Sequence, residues 1–329
     1  MMFNGNRCAG PVVSVRHLNS HGKPNWMRTL LVCSLLIAAC AVSTHSSLAA
    51  GFSKGLDDHT IWVQGVQRTY HVHLPPSYTG NKATPLVVAI HAENDNGPNM
   101  AGLTHFNNVA DSASIIAVYP DGINGNWNTD GTGPKDDFTF ISAMIQQMET
   151  KFAINSHRIY VMGFSQGGIF SEEVGCRLGS TFTAVASVSG HMPSTFVPTC
   201  VQSHPMPFIT FHGIADPIYS YAGWANTRNG KHLMGATDAE DAWAGLAHCK
   251  GQATTTNQPN TVLSDGTTEQ LRTIGTCGWG AEMQLYIIKN GGHTWPSGLQ
   301  YMPTSIVGLT SLDIDAGTVM WQFFARFHY

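Results

Sequence analysis

A serine in a short glycine-containing motif is the first group in this chain that could do chemistry. The segment 163–167 reads GFSQG, so Ser165 has a glycine two positions away on each side. This spacing is typical of a nucleophile elbow, a tight strand-to-helix turn that lifts a serine hydroxyl above a sheet. An apolar run at 158–164 precedes Ser165 and a helical pattern at 166–178 follows it. These flanking patterns favour a nucleophile over a structural Gly-Ser turn.

A serine hydroxyl attacks efficiently only when a base removes its proton and an acid orients that base. In elbow folds the three residues follow one another in the order serine, acid, histidine. Asp216 follows the apolar run 207–213. His293 follows the run 283–291, which is mostly apolar in its first part. Both therefore fall in loops at the carboxyl ends of strands, where such loops converge. The sequence predicts Ser165, Asp216 and His293 as a triad for acyl transfer.

Other acids and histidines fit these roles less well. Four acids lie at the starts of predicted helices, where the helix dipole favours a carboxylate without any catalytic role. They are Asp238, Asp241, Asp313 and Asp315. His191 and His204 come too early in the chain order. His212 lies at the end of a predicted strand, where we expect a structural hydrogen-bonding residue.

Acyl transfer also requires N–H donors for the oxyanion that develops on the carbonyl group. Gln166 follows the nucleophile, and we expect its backbone to supply one donor. The loop HAENDNGPN follows the apolar run 85–92, and we expect the backbone of Glu93 in this loop to supply the second. A carboxylate facing the oxyanion would oppose catalysis, so the side chain of Glu93 should point away.

Aromatic residues near the predicted triad are candidates for a substrate pocket. Trp127 and Asn128 follow the YPDG segment, and Trp295 lies two residues after His293. We predict these three as substrate-binding residues, with core packing as an equal alternative for Trp295. For Trp321, on the last predicted helix, core packing is favoured.

The elements that must position these residues alternate along the chain. Alternating apolar residues at 61–65 and 68–75 predict an antiparallel edge pair, and short apolar runs predict buried strands of a mostly parallel sheet. These runs lie at 85–92, 115–120, 158–164, 184–190, 207–213 and 283–291. The helical patterns lie at 102–113, 137–153, 166–178, 238–248 and 313–327. The alternation predicts an α/β fold with three layers.

We interpret residues 51–329 as one catalytic domain, because α/β enzymes of this size are often single domains. A hydrophobic content of 43% is enough for a sizeable core. The segment 222–282, rich in Gly, Thr, Asn and Trp, has the least regular pattern. It is predicted to be an insertion over the carboxyl edge of the sheet.

Residues 1–50 have the features of a secretory signal peptide. Met27 is an alternative start of this signal peptide. Arg28 precedes an apolar run at 30–42, and small residues suited to cleavage follow. Cys40, in the sequence IAAC, leaves a lipid-anchored protein as an alternative. The run is short for a membrane span, which needs about 20 residues. The sequence thus predicts a secreted or periplasmic protein with no stable span in its mature form.

The charge balance argues against nucleic acid as a partner. The whole chain has a net charge of −4, and its first 50 residues contain four Lys/Arg and no acids. The rest is therefore more acidic, whereas nucleic-acid binding depends on Lys and Arg that neutralise phosphates. We expect an ester substrate as the partner, and neither a metal nor an organic cofactor.

Four of the seven cysteines lie outside the predicted leader, and an even number in an exported protein suggests two disulfides. Sequential pairing closes loops of moderate length, so we favour Cys176–Cys200 and Cys249–Cys277 among three possible connectivities. A zinc site is the alternative, but the chain has no CxxC pair.

Several of these segments together resemble a known family. RTYHVHLPPSY, PLVVAIH, HRIYVMGFSQGG, FHGIADPIYSYAG and GGHTWP occur in order over residues 60–329. The set is similar to the polyhydroxybutyrate depolymerase-like esterases, exported α/β-hydrolase enzymes grouped with feruloyl and acetylxylan esterases. The resemblance implies hydrolysis of hydroxyalkanoate oligomers or of feruloyl, aryl or acetyl esters through Ser165, Asp216 and His293. Two departures are HAENDNG in place of a glycine-rich loop and Gln166 in place of the common Asn.

Two other function classes stay open at this point. Some lysophospholipases and acyl-thioesterases also contain GFSQGG, although most are cytoplasmic. A non-catalytic binding protein on a hydrolase fold is the third possibility, suggested by the unusual HAENDNG loop.

Overall fold

The computed structural model describes residues 55–128, 136–223 and 232–329. Their strands are β1 Asp57–Val63, β2 Val66–His73, β3 Thr84–Ile90, β4 Ile116–Pro120, β5 Ile154–Phe164, β6 Ala184–Val188, β7 Phe208–Gly213, β8 Thr254–Asn257, β9 Thr268–Ile274 and β10 Met283–Lys289. They form one sheet in the order β1-β2-β4-β3-β5-β6-β7-β10-β9-β8. The strands β4, β3, β5, β6, β7 and β10 are neighbours in this order and run parallel to one another. The strands at the two ends of the sheet pair antiparallel, as β1–β2 and β2–β4 at one end and β10–β9 and β9–β8 at the other.

Helices cover both faces of this sheet. They are α1 Gly97–Thr104, α2 Phe106–Ala113, α3 Asp137–Lys151, α4 Gln166–Arg177, α5 Ala236–Leu246, α6 Thr304–Val307 and α7 Ala316–Phe324. One core lies between the sheet and α3, α4 and α5, and the other between the sheet and α1, α2 and α7. The predicted three-layer α/β sandwich is confirmed.

The central strands are buried along their whole length because both of their faces are covered. Every residue of β3, β4, β6 and β7 is buried. Successive side chains of a strand point to opposite faces, so neighbouring residues of each strand enter different cores. The parallel direction places the carboxyl ends of these strands along one edge, where the loops of the predicted site begin.

The single helix predicted at 102–113 is two helices. His105 adopts a left-handed conformation with a φ of 53°, and its backbone N–H closes α1 on Ala101. A helix cannot continue through such a residue. Asp136 caps the start of α3, because its side chain accepts the N–H of Phe138.

The segment 222–282 differs from the predicted insertion. Residues 224–231 lie outside the described part of the chain. Most of the remainder does not lie over the carboxyl edge: α5 packs on the sheet, and β8 and β9 extend it beyond β10. The prediction missed these strands because β8 is entirely exposed and β9 mixes polar and apolar residues, which weakens their periodicity.

The predicted leader, with Arg28 and Cys40, lies outside the described residues. Within the described ranges, no helix is long and apolar enough to cross a bilayer.

Both predicted disulfides are present. Cys176 in α4 is bonded to Cys200, and Cys249 is bonded to Cys277. They enclose sequence separations of 24 and 28 residues, so on the chain-entropy model each stabilises the fold by roughly 3–4 kcal/mol. The first disulfide ties the segment after β6 to the helix that follows Ser165.

Two buried acids at the β9 end of the sheet predict an unusual dependence of stability on pH. Burial raises the pKa of Glu240 and that of Glu269 to about 7 each, and nearby Asp313 raises the pKa of Glu269 further. A folded-state pKa above the unfolded value means that the folded state binds more protons. The contribution of each acid to stability is therefore complete below its ordinary pKa and is lost as the pH rises through about 7.

We expect Glu269→Gln to flatten this dependence. The glutamine keeps an oxygen for the hydroxyl of Ser311 and presents an N–H to Asp313, as the protonated acid does. Thermal unfolding of wild type and variant from about pH 5 to about pH 8 measures the effect as a change in the slope of Tm against pH. Parallel slopes for the two proteins would contradict the assignment.

Candidate active site

Ser165 lies on a sharp turn between β5 and α4. Its φ of 58° and ψ of −120° lie outside the regions that non-glycine residues usually adopt. Two glycines permit the turn: a Cβ on Gly163 would overlap the carbonyl oxygen of Gly167, and one on Gly167 would overlap those at the end of β3. The Ser165 N–H donates to the carbonyl of Val188 at 2.9 Å, which fixes the turn on β6.

His293 and Asp216 meet Ser165 from two other loops. His293 Nε2 lies 2.9 Å from Ser165 Oγ, and His293 Nδ1 lies 2.8 Å from Asp216 Oδ2. The relative exposures of the serine, aspartate and histidine are 7%, 7% and 3%. The structure thus brings together, in a nearly dry site, the three residues that the sequence singled out. The order of contacts is that of a nucleophile, its base and an orienting acid.

Asp216 is fixed by its own loop. Its Oδ1 accepts the backbone N–H groups of Ile218 and Tyr219, both at 2.8 Å. Oδ2 is left to accept from His293. These bonds use different oxygens, so the carboxylate has one orientation.

The loop of His293 is held by the segment before α7. The N–H of His293 donates to Val307 at 2.6 Å, and the N–H of Gly292 donates to Leu309 at 2.9 Å. The hydroxyl of Tyr301 donates to the carbonyl of His293 at 2.9 Å. Burial raises the pKa of Tyr301, so this hydroxyl keeps its proton.

Beside Ser165, the loop after β3 is organised by His91. Gly122 N–H donates to His91 Nε2 at 2.9 Å, so Nδ1 carries the ring proton and donates to the carbonyl of Ala92 at 2.7 Å. Burial lowers the pKa of His91, which favours this neutral form. Glu93, the next residue, has an exposed side chain.

Two of the three predicted substrate-binding residues are interior packing residues. Trp295 is fully buried and Trp127 is 5% exposed. Trp127 stacks on Phe170, and its indole N–H donates to the carbonyl of His91 at 2.9 Å. Neither indole reaches the surface of the site, so we correct their role from substrate contact to packing. Asn128 is half-buried, and its backbone N–H donates to Asp137 at 2.5 Å.

The side chain of Gln166 has a structural role of its own. Its Oε1 accepts the backbone N–H of Trp127 at 3.1 Å. The amide therefore connects the start of α4 to the loop after β4. The backbone N–H of Gln166 remains at the N-terminus of α4, next to Ser165.

The rival acids and His204 lie away from Ser165. Asp241 pairs with Arg272 at 2.7 Å, Asp315 caps α7, and Asp238 is exposed on α5. Asp313 instead binds the backbone N–H groups of residues 261 and 262. His204 stacks on Trp279 near the amino ends of the strands. His191 and His212, by contrast, lie directly behind Asp216.

Sequence comparison identifies the family. The model of the Esterase family matches residues 64–274, which is more than half of the chain and includes Ser165 and Asp216. The chain belongs to this family. Several known proteins similar to this chain are named as acetylxylan or feruloyl esterases.

Two such relatives come from fungi. A "Probable feruloyl esterase C" of Aspergillus flavus is 30% identical over 209 residues, which is 59% of this chain and 73% of that protein. A bifunctional acetylxylan esterase/xylanase of Neocallimastix patriciarum is 29% identical over 235 residues, or 70% of this chain. The esterase spans only 31% of that bifunctional protein.

A solved structure has the same fold. The acetyl xylan esterase from Aspergillus awamori superposes with a TM-score of 0.55 over 82% of this chain and 99% of that one, at 16% identity. At this identity the similarity establishes the α/β-hydrolase fold alone. It agrees with the element order of the esterase described above.

Proposed function

We propose that the protein is an exported serine esterase that hydrolyses carboxylic esters through Ser165, His293 and Asp216. The observation that carries the proposal is the continuous contact from Ser165 Oγ to His293 at 2.9 Å and from His293 to Asp216 at 2.8 Å. Family membership supports ester hydrolysis, and the geometry supports these three residues as its agents.

Asp216 sets the protonation of the base in this mechanism. A carboxylate only accepts, so His293 Nδ1 carries a proton and Nε2 has the free lone pair. Nε2 takes the proton of Ser165 as Oγ bonds to the ester carbon. The resulting imidazolium gives this proton to the departing alkoxide, which leaves as an alcohol. Water then attacks the acyl-enzyme by the same route and releases the acid and the serine.

The backbone of Gln166 and Glu93 would stabilise the oxyanion. The N–H of Gln166 lies at the N-terminus of α4, where the helix dipole favours negative charge. Ala92 and Glu93 share one trans peptide, whose carbonyl accepts from the buried His91. The N–H of a trans peptide points opposite to its carbonyl, so the Glu93 N–H is directed away from His91. The exposed carboxylate of Glu93 stays in water.

A polar cleft next to this loop supports a carbohydrate-linked ester as the substrate. The cleft encloses about 540 Å³ and is lined mainly by amide, carboxylate and glycine groups. Its residues are Thr69, Asn94, Asp95, Asn96, Asp121, Gly122, Asn124 and Gly125. Amides and carboxylates match the hydroxyl groups of a sugar as donors and acceptors. We therefore favour acetyl or feruloyl esters of sugars over hydroxyalkanoate oligomers.

The proposed location is outside the cytoplasm. Two disulfides support it, because disulfides persist in oxidising compartments. The predicted leader at 1–50 supports it as well.

An ester panel tests the proposed function. The panel contains acetylated xylo-oligosaccharide, methyl ferulate, a hydroxybutyrate oligomer and a long-chain acyl-thioester. We expect the highest kcat/KM on one of the first two, and labelling by a fluorophosphonate at Ser165. Preference for the thioester would favour the lysophospholipase or thioesterase class. Absence of both labelling and turnover would leave a binding protein on a hydrolase fold.

A further inference from the structure

Three buried titratable residues form a chain behind Asp216. They come from separate elements: Glu172 from α4, His191 from the loop after β6, and His212 from the end of β7. Glu172 Oε1 lies 2.9 Å from His191 Nδ1, and His191 Nε2 lies 3.0 Å from His212 Nδ1. The three residues are at most 2% exposed. Ester hydrolysis by the three residues at Ser165 does not itself require them.

The partners at the two ends of the chain determine where its protons lie. His212 Nε2 lies 2.8 Å from the carbonyl of Tyr219, which can only accept, so Nε2 carries a proton. Burial and the neighbouring His191 lower the pKa of His212 to about 3, so the ring is neutral and its Nδ1 is an acceptor. His191 Nε2–H must then donate to it. The Nε2–H of His191 and the Nε2–H of His212 therefore both point towards the loop of Asp216.

The donor to His212 does not depend on which atom of the Glu172–His191 contact holds the proton. The single proton between His191 Nδ1 and Glu172 Oε1 belongs to the imidazole in an ion pair, or to the carboxyl group in a neutral pair. Both states leave His191 Nε2–H donating to His212. Glu172 Oε2 accepts from the indole of Trp243 at 3.1 Å and from the N–H of Met192 at 3.3 Å.

The near end of the chain reaches the acid of the proposed triad. His212 Nε2 lies 3.5 Å from Asp216 Oδ2, the oxygen that accepts from His293. The Nε2–H of His212 also donates to the backbone carbonyl of Tyr219. The backbone N–H of Tyr219 in turn donates to Oδ1, the other oxygen of Asp216. One N–H therefore supports both the charge of this carboxylate and the turn that orients it.

We propose that Glu172, His191 and His212 form a positioning relay that holds the His212 imidazole in place and thereby supports the turn that orients Asp216. The proposal rests on the proposed function, because it assigns the relay to the same site. No proton passes along the relay during turnover. The relay instead keeps the Nε2–H dipole of His212 beside the carboxylate of Asp216. This carboxylate stabilises His293, which becomes positively charged in the transition state.

Within the described ranges, the hydrogen-bond partner of His212 Nδ1 is His191. The titratable groups that face His212 are His191, Asp216, His293 and Tyr221, whose ring lies edge-on at 5.8 Å. Among these, His191 is the residue within hydrogen-bond distance of Nδ1. The Cys176–Cys200 disulfide connects α4, which contains Glu172, to the segment that follows His191. The relay thus has a covalent brace.

The test compares two substitutions at His191. In His191→Leu the donor to His212 Nδ1 is lost, so the His212 ring can turn and its Nε2–H no longer holds the carbonyl of Tyr219 beside Asp216. His191→Gln keeps an N–H within reach of His212. We expect kcat to fall by about 10-fold to 100-fold in the leucine variant, with little change in KM, because small misplacements of catalytic groups cost this much. The glutamine variant should recover most of the loss.

His204→Leu is the matched control, since it removes a partly buried histidine distant from Ser165. It should keep wild-type kcat. Thermal unfolding of each variant identifies any that fail to fold. A folded His191→Leu with unchanged kcat, or a glutamine variant as slow as leucine, would overturn the proposal.

A second measurement reports on the relay without activity. Nitrogen NMR of the imidazoles should find wild-type His212 neutral and protonated at Nε2 throughout the range in which free histidine titrates. His191→Leu should shift the Nδ1 resonance of His212, because this nitrogen loses its donor, and His191→Gln should restore it. A wild-type His212 that titrates normally or is protonated at Nδ1 would overturn the relay. Because this readout needs no substrate, it separates failure of the relay from failure of the esterase assignment.

Discussion

Replacing Ser165 with alanine is expected to lower kcat for ester hydrolysis by about 10⁴-fold or more. The substitution removes the oxygen that would attack the ester carbon and leaves His293 Nε2 without its partner at 2.9 Å. Residual activity should come from the oxyanion donors acting on a water molecule. The fold should be retained, because the backbone N–H of Ser165, which bonds Val188, is unaffected.

The measurement is kcat and KM on the best ester of the panel, with fluorophosphonate labelling followed by mass spectrometry. Ser203→Ala is a suitable control, because Ser203 is exposed and bonds His204 away from the site. It should keep wild-type kinetics and one label per chain. A Ser165→Ala protein that is folded and remains within about 10-fold of wild type would exclude this serine as the nucleophile.

The sequence was sufficient to place Ser165, Asp216 and His293 at one edge of the sheet, because each depends on a strong local pattern. Each residue follows a strand that the sequence shows as a short apolar run. Parallel strands end at the same edge, so the three loops converge whatever the details of their side chains. The hydrogen bonds between the residues needed the structure.

The relay behind Asp216 has no comparable local signal. Glu172 and His191 are 19 residues apart, and His191 and His212 are 21 residues apart. In the sequence, none of the three residues belongs to a motif that connects it to the other two. His191 and His212 do lie at strand ends, and this was the signal that could have joined them to the site. The side chain of Glu172 faces the relay only because the start of α4 is fixed by the elbow.

The substrate-binding role predicted for Trp127 was wrong for a related reason, and for Trp295 the packing alternative is the one that fits its burial. Proximity in sequence to a predicted site does not determine which way a large side chain points. Both indoles turn inward, where burial of a large aromatic surface stabilises the core more than exposure in the site. The Trp127 indole nevertheless affects the site indirectly, because it bonds the carbonyl of His91 beside the proposed oxyanion loop.

Asp216→Asn is expected to lower kcat by about 10⁴-fold while preserving the shape of the site. The asparagine oxygen can keep the N–H groups of Ile218 and Tyr219, which occupy Oδ1 in the wild type. Its NH₂ group then faces His293 Nδ1, where the wild type has an acceptor. His293 must therefore accept at Nδ1 and place its proton on Nε2. In this tautomer Nε2 has no lone pair for the proton of Ser165.

This substitution separates orientation of the base from the integrity of the loop. KM and Tm should change little, and fluorophosphonate labelling should slow in parallel with kcat. Nitrogen NMR of His293 should report protonation at Nδ1 in the wild type and at Nε2 in the variant. Asp238→Asn, a neutralised acid on the exposed side of α5, should behave as wild type. If Asp216→Asn retained the wild-type tautomer and kcat within about 10-fold, Asp216 would not be the orienting acid, and the relay would have no catalytic carboxylate to position.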